Sequence, residues 1–225
     1  SRSDLMIEAS ELDLSQIRRC KVFNYTPLSF EFDYPIAKAA ELALAEAHSA
    51  GVMTAFDSNY RFPYEDMKVY HAVQDAIYSA QILKLSQDDI RYFMKEENVF
   101  SACEKLLAGN AKIVAFTMGT SGSLLYTHKG WSYRPAYRVN ALDTTGAGDS
   151  FMGALIYLLT HETDNIEELS VLDLERIGDF CNACAAASTM KRGSLLVMPT
   201  LSQIEHVLKT APRIETQFDK IHKTF

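Results

Sequence analysis

The sequence predicts an α/β fold with a mainly parallel sheet, and three observations support this. Short β-rich runs alternate with helical patterns along the chain, which is typical of βαβ units. With 225 residues, 48% of them hydrophobic, the chain is long enough for one sizeable core. Small and polar residues follow the strand runs, as expected of parallel sheets, whose ligands bind at the carboxyl ends of the strands.

The hydrophobic pattern places the elements in order. Strands are predicted at 20–26, 52–57, 80–86 and 111–119, the first of them buried, and a hairpin at 123–136 is predicted to turn at Lys129-Gly130. Helices are predicted at 34–51, 64–79, 87–94, 97–108, 147–160, 172–191 and 201–210. No internal repeat, low-complexity tract or linker is visible, so one domain spanning 1–225 is expected.

Composition and charge exclude several classes of function. The net charge of −7 and the absence of a basic run argue against nucleic-acid binding, which needs clustered Lys and Arg. No apolar run reaches transmembrane length, so no membrane partner is expected. No signal peptide is visible, although a removed leader is left open because the chain starts at Ser1 without Met. The cytoplasm is the expected compartment, with an organelle such as a plastid left open.

Four cysteines are present, and two of them form a C-x-x-C pair in "FCNACAAAS", Cys181 and Cys184. The small residues around this pair are typical of a packed helix. No second pair is available to complete a zinc site, so buried helical thiols are expected. Unpaired cysteines suit a reducing compartment.

The stretch "ALDTTGAGDSFMGALIYLL" (141–159) carries the clearest chemical signal. The glycines flank the start of a predicted helix, where unpaired backbone N–H groups and the helix dipole favour an anion, usually phosphate. Asp149 follows in the first turn, where a carboxylate can orient or deprotonate an attacking hydroxyl. Phosphoryl transfer would use both features, although Asp149 could instead only cap the helix.

Two other phosphate motifs do not fit this stretch. The sequence has no G-x-x-x-x-G-K-[ST], which a Walker-A enzyme would need. A dinucleotide-binding G-x-G-x-x-G would require glycine at position 151, where Phe151 stands.

The run "DTTGAGDSFMGAL" resembles the C-terminal signature of the ribokinase-like (PfkB) sugar kinases, and of the fructokinases in particular. The similarity continues along the chain in the family's order: "AFDSNYR", "ILKLSQDD", "TMGTSGSLLY", "DTTGAGD" and "CNACAAASTMKRG". It implies a ribokinase-like fold and transfer of the γ-phosphoryl group of ATP to a sugar hydroxyl, with fructose as the favoured acceptor. It also implies ATP and Mg²⁺, and it leaves K⁺ as an open expectation.

The resemblance implies roles for particular residues of the chain. Asp149 would be the catalytic base, and the anion hole would be formed by Gly146, Ala147 and Gly148. Nucleotide-binding positions would be Lys84, Ser86, Thr117, Gly119, Gly122 and Asn182. Asn59 and Arg61 would face the sugar or the transferred phosphate. Asp89 would organise magnesium through water, with Ser86 and Asp89 standing where the family has N-x-x-E. A monovalent-cation site would include Asp143, Thr145, Thr189 and Arg192, with carbonyls between Thr189 and Ser194.

Several of these residues also have a purely structural interpretation. Arg61 could be a surface ion-pair partner, and Ser86 alone is better explained as a helix cap. The glycines at 119 and 122 could serve only the turn. Asn182 could be a satisfied core amide, and Asp143 could close a turn.

One departure from the family pattern concerns its N-terminal portion, which builds the sugar pocket and the lid. Nothing in the chain matches the motifs of that portion, so the chain corresponds to roughly the last two thirds of such a kinase. Two alternatives therefore stay open: a catalytically idle, kinase-shaped scaffold in a larger assembly, and a nucleoside kinase of the same fold. Expected partners are a small sugar and ATP. A homodimer is an open expectation, because family members often dimerise through the lid.

Overall fold

The structure is a computed structural model that describes residues 3–59, 66–193 and 198–216. It divides into two compact units, Ser1–Val114 (unit 1) and Ala115–Phe225 (unit 2). The six strands belong to one sheet with the order β1-β2-β3-β4-β5-β6. Their bounds are β1 Val22–Tyr25, β2 Met53–Asp57, β3 Ile82–Ser86, β4 Ile113–Thr117, β5 Ser123–Thr127 and β6 Gly130–Arg134.

Unit 1 contains parallel strands and the helices that connect them. Its helices are α1 Leu14–Arg19, α2 Pro35–Ser49, α3 Met67–Ser79, α4 Gln87–Asp89, continued by a π-helical turn Ile90–Met94, and α5 Val99–Leu107. Short 3-10 turns lie at Ser3–Met6, Ala9–Glu11 and Pro27–Phe30. Strand β2 pairs in parallel with β1 and with β3. The predicted βαβ pattern is confirmed here.

Burial along the strands follows their position in the sheet. Strands β2 and β3 are almost wholly buried, as apolar runs covered on both faces should be. Strand β1 was predicted to be buried, but only Tyr25 is, while Asn24 is exposed. Among the described residues β1 is the first strand of the order and has a neighbouring strand on one side only, which explains its exposure. Helix α2 packs on β1 and β2 and buries a row of alanines, which allows a close approach.

Unit 2 is built on an antiparallel hairpin and three helices, α6 Ala147–His161, α7 Val171–Thr189 and α8 Leu201–Thr210. The hairpin pairs Thr127 with Gly130, so its turn residues are His128 and Lys129 rather than the predicted Lys129-Gly130. Gly130, with φ +143°, already belongs to β6. Helix α7 packs against α6, α8 and both hairpin strands.

The thiols of the C-x-x-C pair confirm the expectation of buried helical cysteines. Cys181 and Cys184 are unpaired and buried on α7, and burial raises the pKa of Cys184 to about 11. The Cys184 thiol donates to the backbone oxygen of Ser150 on α6 at 3.5 Å. The Cys184 thiol therefore contributes to the packing of α7 on α6. No helix within residues 3–59, 66–193 and 198–216 combines the length and apolarity of a membrane span.

The loop between β4 and β5 carries two glycines with different steric requirements. A Cβ at Gly122 would lie 2.1 Å from the backbone oxygen of Arg134, and φ there is +97°. Gly119 has φ +55° but open space around it. We expect Gly122→Ala to lower the free energy of unfolding by about 3 kcal/mol and Gly119→Ala by about 1 kcal/mol. Urea unfolding of both variants measures this difference, and equal losses would contradict it.

Candidate functional site

Helix α6 begins at a tight turn that requires glycine. Gly146 is the residue before the helix and adopts φ +81° and ψ 0°, the values of the third position of a type II turn. The turn is closed by the Ala147 N–H, which donates to the Thr144 oxygen at 3.2 Å. One of the three predicted anion-hole donors is therefore engaged inside the turn itself.

The following amides are differently placed. Within the described part of the chain, the N–H groups of Gly148 and Asp149 have no hydrogen-bond acceptor, as is usual in the first turn of a helix. Such amides, together with the helix dipole, attract anions. Asp149 itself is exposed in this first turn. The turn thus presents backbone donors and a carboxylate side by side.

A cavity of about 420 Å³ in unit 2 reaches this helix N-terminus. It brings together seven of the predicted site residues: Thr117, Gly119, Gly122, Ala147, Gly148, Asn182 and Thr189. Its remaining lining is largely apolar and includes Val139, Phe151 and Ile214. The size and the mostly apolar lining are those of a small-molecule site. The cavity can hold an apolar ring system in its body and an anionic group where the lining reaches Ala147 and Gly148.

The structural interpretation of Asn182, a satisfied core amide, agrees with its contacts. The side chain is buried on α7, and its Nδ2 donates to the Arg134 oxygen at 2.9 Å. The residue also lines the cavity. It is therefore a satisfied amide that forms part of the wall.

The residues of the predicted monovalent-cation site close a loop. The carboxylate of Asp143 accepts from the Thr145 N–H at 2.9 Å and from the Gly193 N–H at 3.2 Å. These bonds lower the pKa of Asp143, and the bond from the backbone N–H of Thr145 has the largest effect. The Thr189 oxygen accepts from the N–H groups of Leu142 and Asp143 at 2.8 and 3.2 Å. Arg192 is exposed, and the cation site stays a prediction, with Ser194 outside the described residues.

In unit 1, Ser86 and Asp89 form a reciprocal helix cap. Asp89 Oδ2 accepts from the Ser86 N–H and Oγ–H, both at 2.6 Å, and the Asp89 N–H donates to Ser86 Oγ at 3.4 Å. The structural role considered for Ser86 is thus present. Asp89 is 2% exposed, and its Oδ1 is buried without a hydrogen-bond partner among the described residues. That oxygen has spare acceptor capacity for a hydrated cation.

A buried ion pair joins the ends of β2 and β3. Lys84 Nζ lies 2.7 Å from Asp57 Oδ1, with side chains 9% and 3% exposed. The same carboxylate oxygen accepts the Asn59 N–H at 3.1 Å, and Asn59 adopts a left-handed φ of +38°. The pair therefore helps to fix the backbone of a predicted substrate-binding residue. Arg61, predicted beside it, lies outside the described residues.

Asp57 was not predicted as a site residue, although the sequence held a signal. It is the single charged residue of β2, as Lys84 is of β3, and the parallel register places them directly opposite each other. No cluster of three or more His, Cys, Asp or Glu side chains suitable for a metal occurs in residues 3–59, 66–193 and 198–216. A metal in such a site would depend on single carboxylates, water and a ligand's own oxygens.

An α/β chain with a ligand cavity running to an anion-attracting helix N-terminus is of the type that binds phosphorylated ligands. Comparison with known proteins gives the particular family. The sequence model of the pfkB family carbohydrate kinases matches residues 11–201. The chain belongs to this family.

Individual relatives agree with the family assignment. The chain is 31% identical over 212 residues to Probable fructokinase-4 of Arabidopsis thaliana, with 92% of this chain and 64% of the relative covered. A crystal structure of Xylella fastidiosa fructokinase with bound ATP superposes with a TM-score of 0.79 at 21% identity, covering 92% of this chain and 66% of that one. A ribokinase II candidate from E. coli in complex with ATP and Mg²⁺ gives a TM-score of 0.77 at 23% identity, covering 90% and 63%.

These likenesses confirm the ribokinase-like fold. The chain spans 64% of the length of the Arabidopsis relative, so it corresponds to part of such a protein's length.

The buried pair Lys84–Asp57 generates a stability prediction. Removing one partner of a buried ion pair typically costs about 3–5 kcal/mol, because the other charge is left uncompensated. We expect Lys84→Met to lower the free energy of unfolding by that amount. The double variant Asp57→Asn/Lys84→Met should recover most of the loss, because it carries no buried charge and keeps an acceptor for Asn59.

Chemical denaturation of the three proteins measures the effect. Lys209→Met is the matched control, since its Nζ lies 3.7 Å from Glu205 in an exposed pair, and it should change the stability by less than about 0.5 kcal/mol. A double variant no more stable than Lys84→Met would refute the pairing argument.

Proposed function

We propose that the protein is an ATP-dependent carbohydrate kinase, in which unit 2 binds the nucleotide and carries the phosphoryl-transfer residues. The observation that carries the proposal is the continuity of the site: one cavity runs from the apolar wall around Asn182 to the first turn of α6, where Asp149 lies. Family membership and the ATP named with the Xylella and E. coli structures support it.

The nucleotide would bind with its base in the apolar part of the cavity. Phe151, Val139 and Ile214 offer apolar contact, and Asn182 adds a polar group. The loop with Gly119 and Gly122 would lie near the ribose and phosphates. The phosphate tail would then extend toward the Gly148 N–H, where backbone donors and the helix dipole stabilise negative charge.

Transfer would proceed by in-line attack of a sugar hydroxyl on the γ-phosphorus. The new O–P bond forms as the bond between that phosphorus and the bridging oxygen of ADP breaks, and the hydroxyl proton passes to the Asp149 carboxylate. Catalysis of this kind depends on positioning and on charge stabilisation. The exposed Asp149 side chain is free to meet the acceptor, while the turn amides would stabilise the charge on the moving group.

Magnesium fits this proposal in a limited way. When bound, it neutralises charge on phosphate oxygens, and it usually keeps several waters and uses one or two carboxylates. The spare buried oxygen of Asp89 suits such a water-mediated role, with Ser86 fixing the carboxylate. The oxygens of Asp143 and Thr189 accept hydrogen bonds from backbone N–H groups of the loop. These bonds support a loop-closing function, and K⁺ binding stays a prediction.

For the acceptor we favour fructose, because the plant relative at 31% identity carries the name Probable fructokinase-4. Asn59 and Arg61 would contact the sugar or the transferred phosphate. Lys84, which lies with Ser86 at the end of β3, would contribute to nucleotide binding. A panel of sugars and nucleosides as acceptors, with products identified by mass, separates fructokinase from nucleoside kinase. A protein that phosphorylates none of them would be the idle scaffold.

The catalytic assignment predicts a kinetic effect of Asp149→Asn in the protein expressed from its complete reading frame. The substitution removes the proton acceptor and keeps the size of the side chain. We expect kcat to fall about 10²–10⁴-fold, with little change in the KM for ATP, since the amides of the turn stay in place. Steady-state kinetics with fructose and MgATP measures both constants.

The control is Asp164→Asn, which alters another exposed carboxylate and should leave kcat unchanged. Near-normal turnover of Asp149→Asn would remove Asp149 from the mechanism.

A further inference from the structure

A cluster of two arginines around one carboxylate lies behind the wall of the unit 2 cavity. Asp179 on α7 accepts from Arg134 Nε at 2.6 Å and from Arg134 Nη2 at 2.8 Å, a two-pronged bond. Arg213 Nη2 lies 2.6 Å from the same carboxylate. The three side chains are only 21–29% exposed, and paired arginines of this kind form specific, directional bonds.

Arg213 connects this cluster to a residue of the cavity lining, Tyr137. Its guanidinium carbon lies 3.7 Å from the centre of the Tyr137 ring, and its Nη1 donates to the Pro135 oxygen at 2.8 Å. The flat guanidinium thus lies over the aromatic face, a favourable cation–π geometry. Tyr137 is itself part of the cavity lining.

The backbone around Arg213 runs antiparallel to the segment that contains Tyr137. The Arg138 N–H donates to the Pro212 oxygen, and the Ile214 N–H donates to the Ala136 oxygen, both at 2.8 Å. Ile214 consequently contributes to the cavity lining. The C-terminal segment 212–214 is therefore fastened along one wall of the cavity.

The charge arrangement makes Asp179 the centre of this fastening. The carboxylate raises the pKa of Arg134, and it separates two guanidinium groups that would otherwise repel each other. The neighbouring carboxylate Glu175, one turn earlier on α7, reaches Arg134 only at 3.8 Å. The two acidic residues thus differ sharply in how they engage the arginines.

We propose that Asp179 is a positioning residue for nucleotide binding. It holds Arg213, and through Arg213 it holds Tyr137 and Ile214 as the wall against which the base of a purine nucleoside triphosphate binds. This inference rests on the proposed function, because it takes the unit 2 cavity to be the nucleotide site. Asp179 would affect the binding of the base, which the cavity walls contact. The phosphate tail would bind at the turn before α6, away from Asp179.

The test compares two ligands, ATP and inorganic tripolyphosphate, by titration calorimetry on the protein expressed from its complete reading frame. For Asp179→Asn we expect the Kd for ATP to rise about tenfold, a usual size for coupling within such a network. The Kd for tripolyphosphate should stay within about twofold, because that ligand has no base to meet the displaced wall. Glu175→Gln is the matched control and should bind both ligands as the wild type does.

A second variant guards against poor folding of Asp179→Asn. Arg213→Lys keeps a positive charge for Asp179 but loses the flat group over Tyr137, so it should also weaken ATP and spare tripolyphosphate. ATP affinities equal to that of Glu175→Gln in both variants, or equal losses for the two ligands, would overturn the inference while leaving the proposed function intact. A wild-type protein that binds neither ligand would overturn the proposed function and this inference with it.

Discussion

The start of helix α6 is the constraint on which the site depends. A chain that enters a helix through a type II turn needs glycine at the third position, and Gly146 with φ +81° supplies it. The turn uses the Ala147 amide for its own closure and leaves the amides of Gly148 and Asp149 without acceptors in the described residues. Backbone donors and a carboxylate are therefore presented by the same short segment, which is what phosphoryl transfer requires of a protein.

The rest of unit 2 serves to bring a cavity to that turn. Helix α7 packs on α6 through small residues, with Cys184 in contact with the Ser150 oxygen. The small residues that allow tight helix packing also leave space for the cavity, because the short side chains of Ala185 and Ala186 line it without filling it. The close approach of Gly122 to the Arg134 oxygen, to which Asn182 also donates, ties the strand loops to α7. The packing of the helices and the shape of the cavity thus depend on the same residues.

Most of the helices and strands could be predicted from the sequence, and the errors in that prediction have physical causes. The helices and strands followed from hydrophobic period, because a strand with two covered faces or a helix with one apolar face leaves a regular pattern. The exposure of Asn24 and the one-residue shift of the hairpin turn depend on sheet order and register, which no local pattern records. Helix α1, at six residues, is too short to show a period.

The contiguous part of the candidate site could be predicted from its residues alone, whereas the ion pairs that join distant segments could not. The run 143–149 shows its chemistry in one segment, so the glycine turn and its carboxylate could be identified directly. Asp57 and Lys84 are 27 positions apart, and Arg134 and Asp179 are 45 apart; only the fold joins them. The resemblance supplied the roles of Thr117 and Asn182, and the cavity now contains both, while their part in binding stays a proposal.

The most direct measurement is a crystal structure of the protein with a non-hydrolysable ATP analogue and Mg²⁺. The account predicts the base within the unit 2 cavity beside Asn182 and the γ-phosphate about 3 Å from the Gly148 amide nitrogen. A nucleotide whose base lies outside that cavity, or whose phosphates lie away from the first turn of α6, would contradict it.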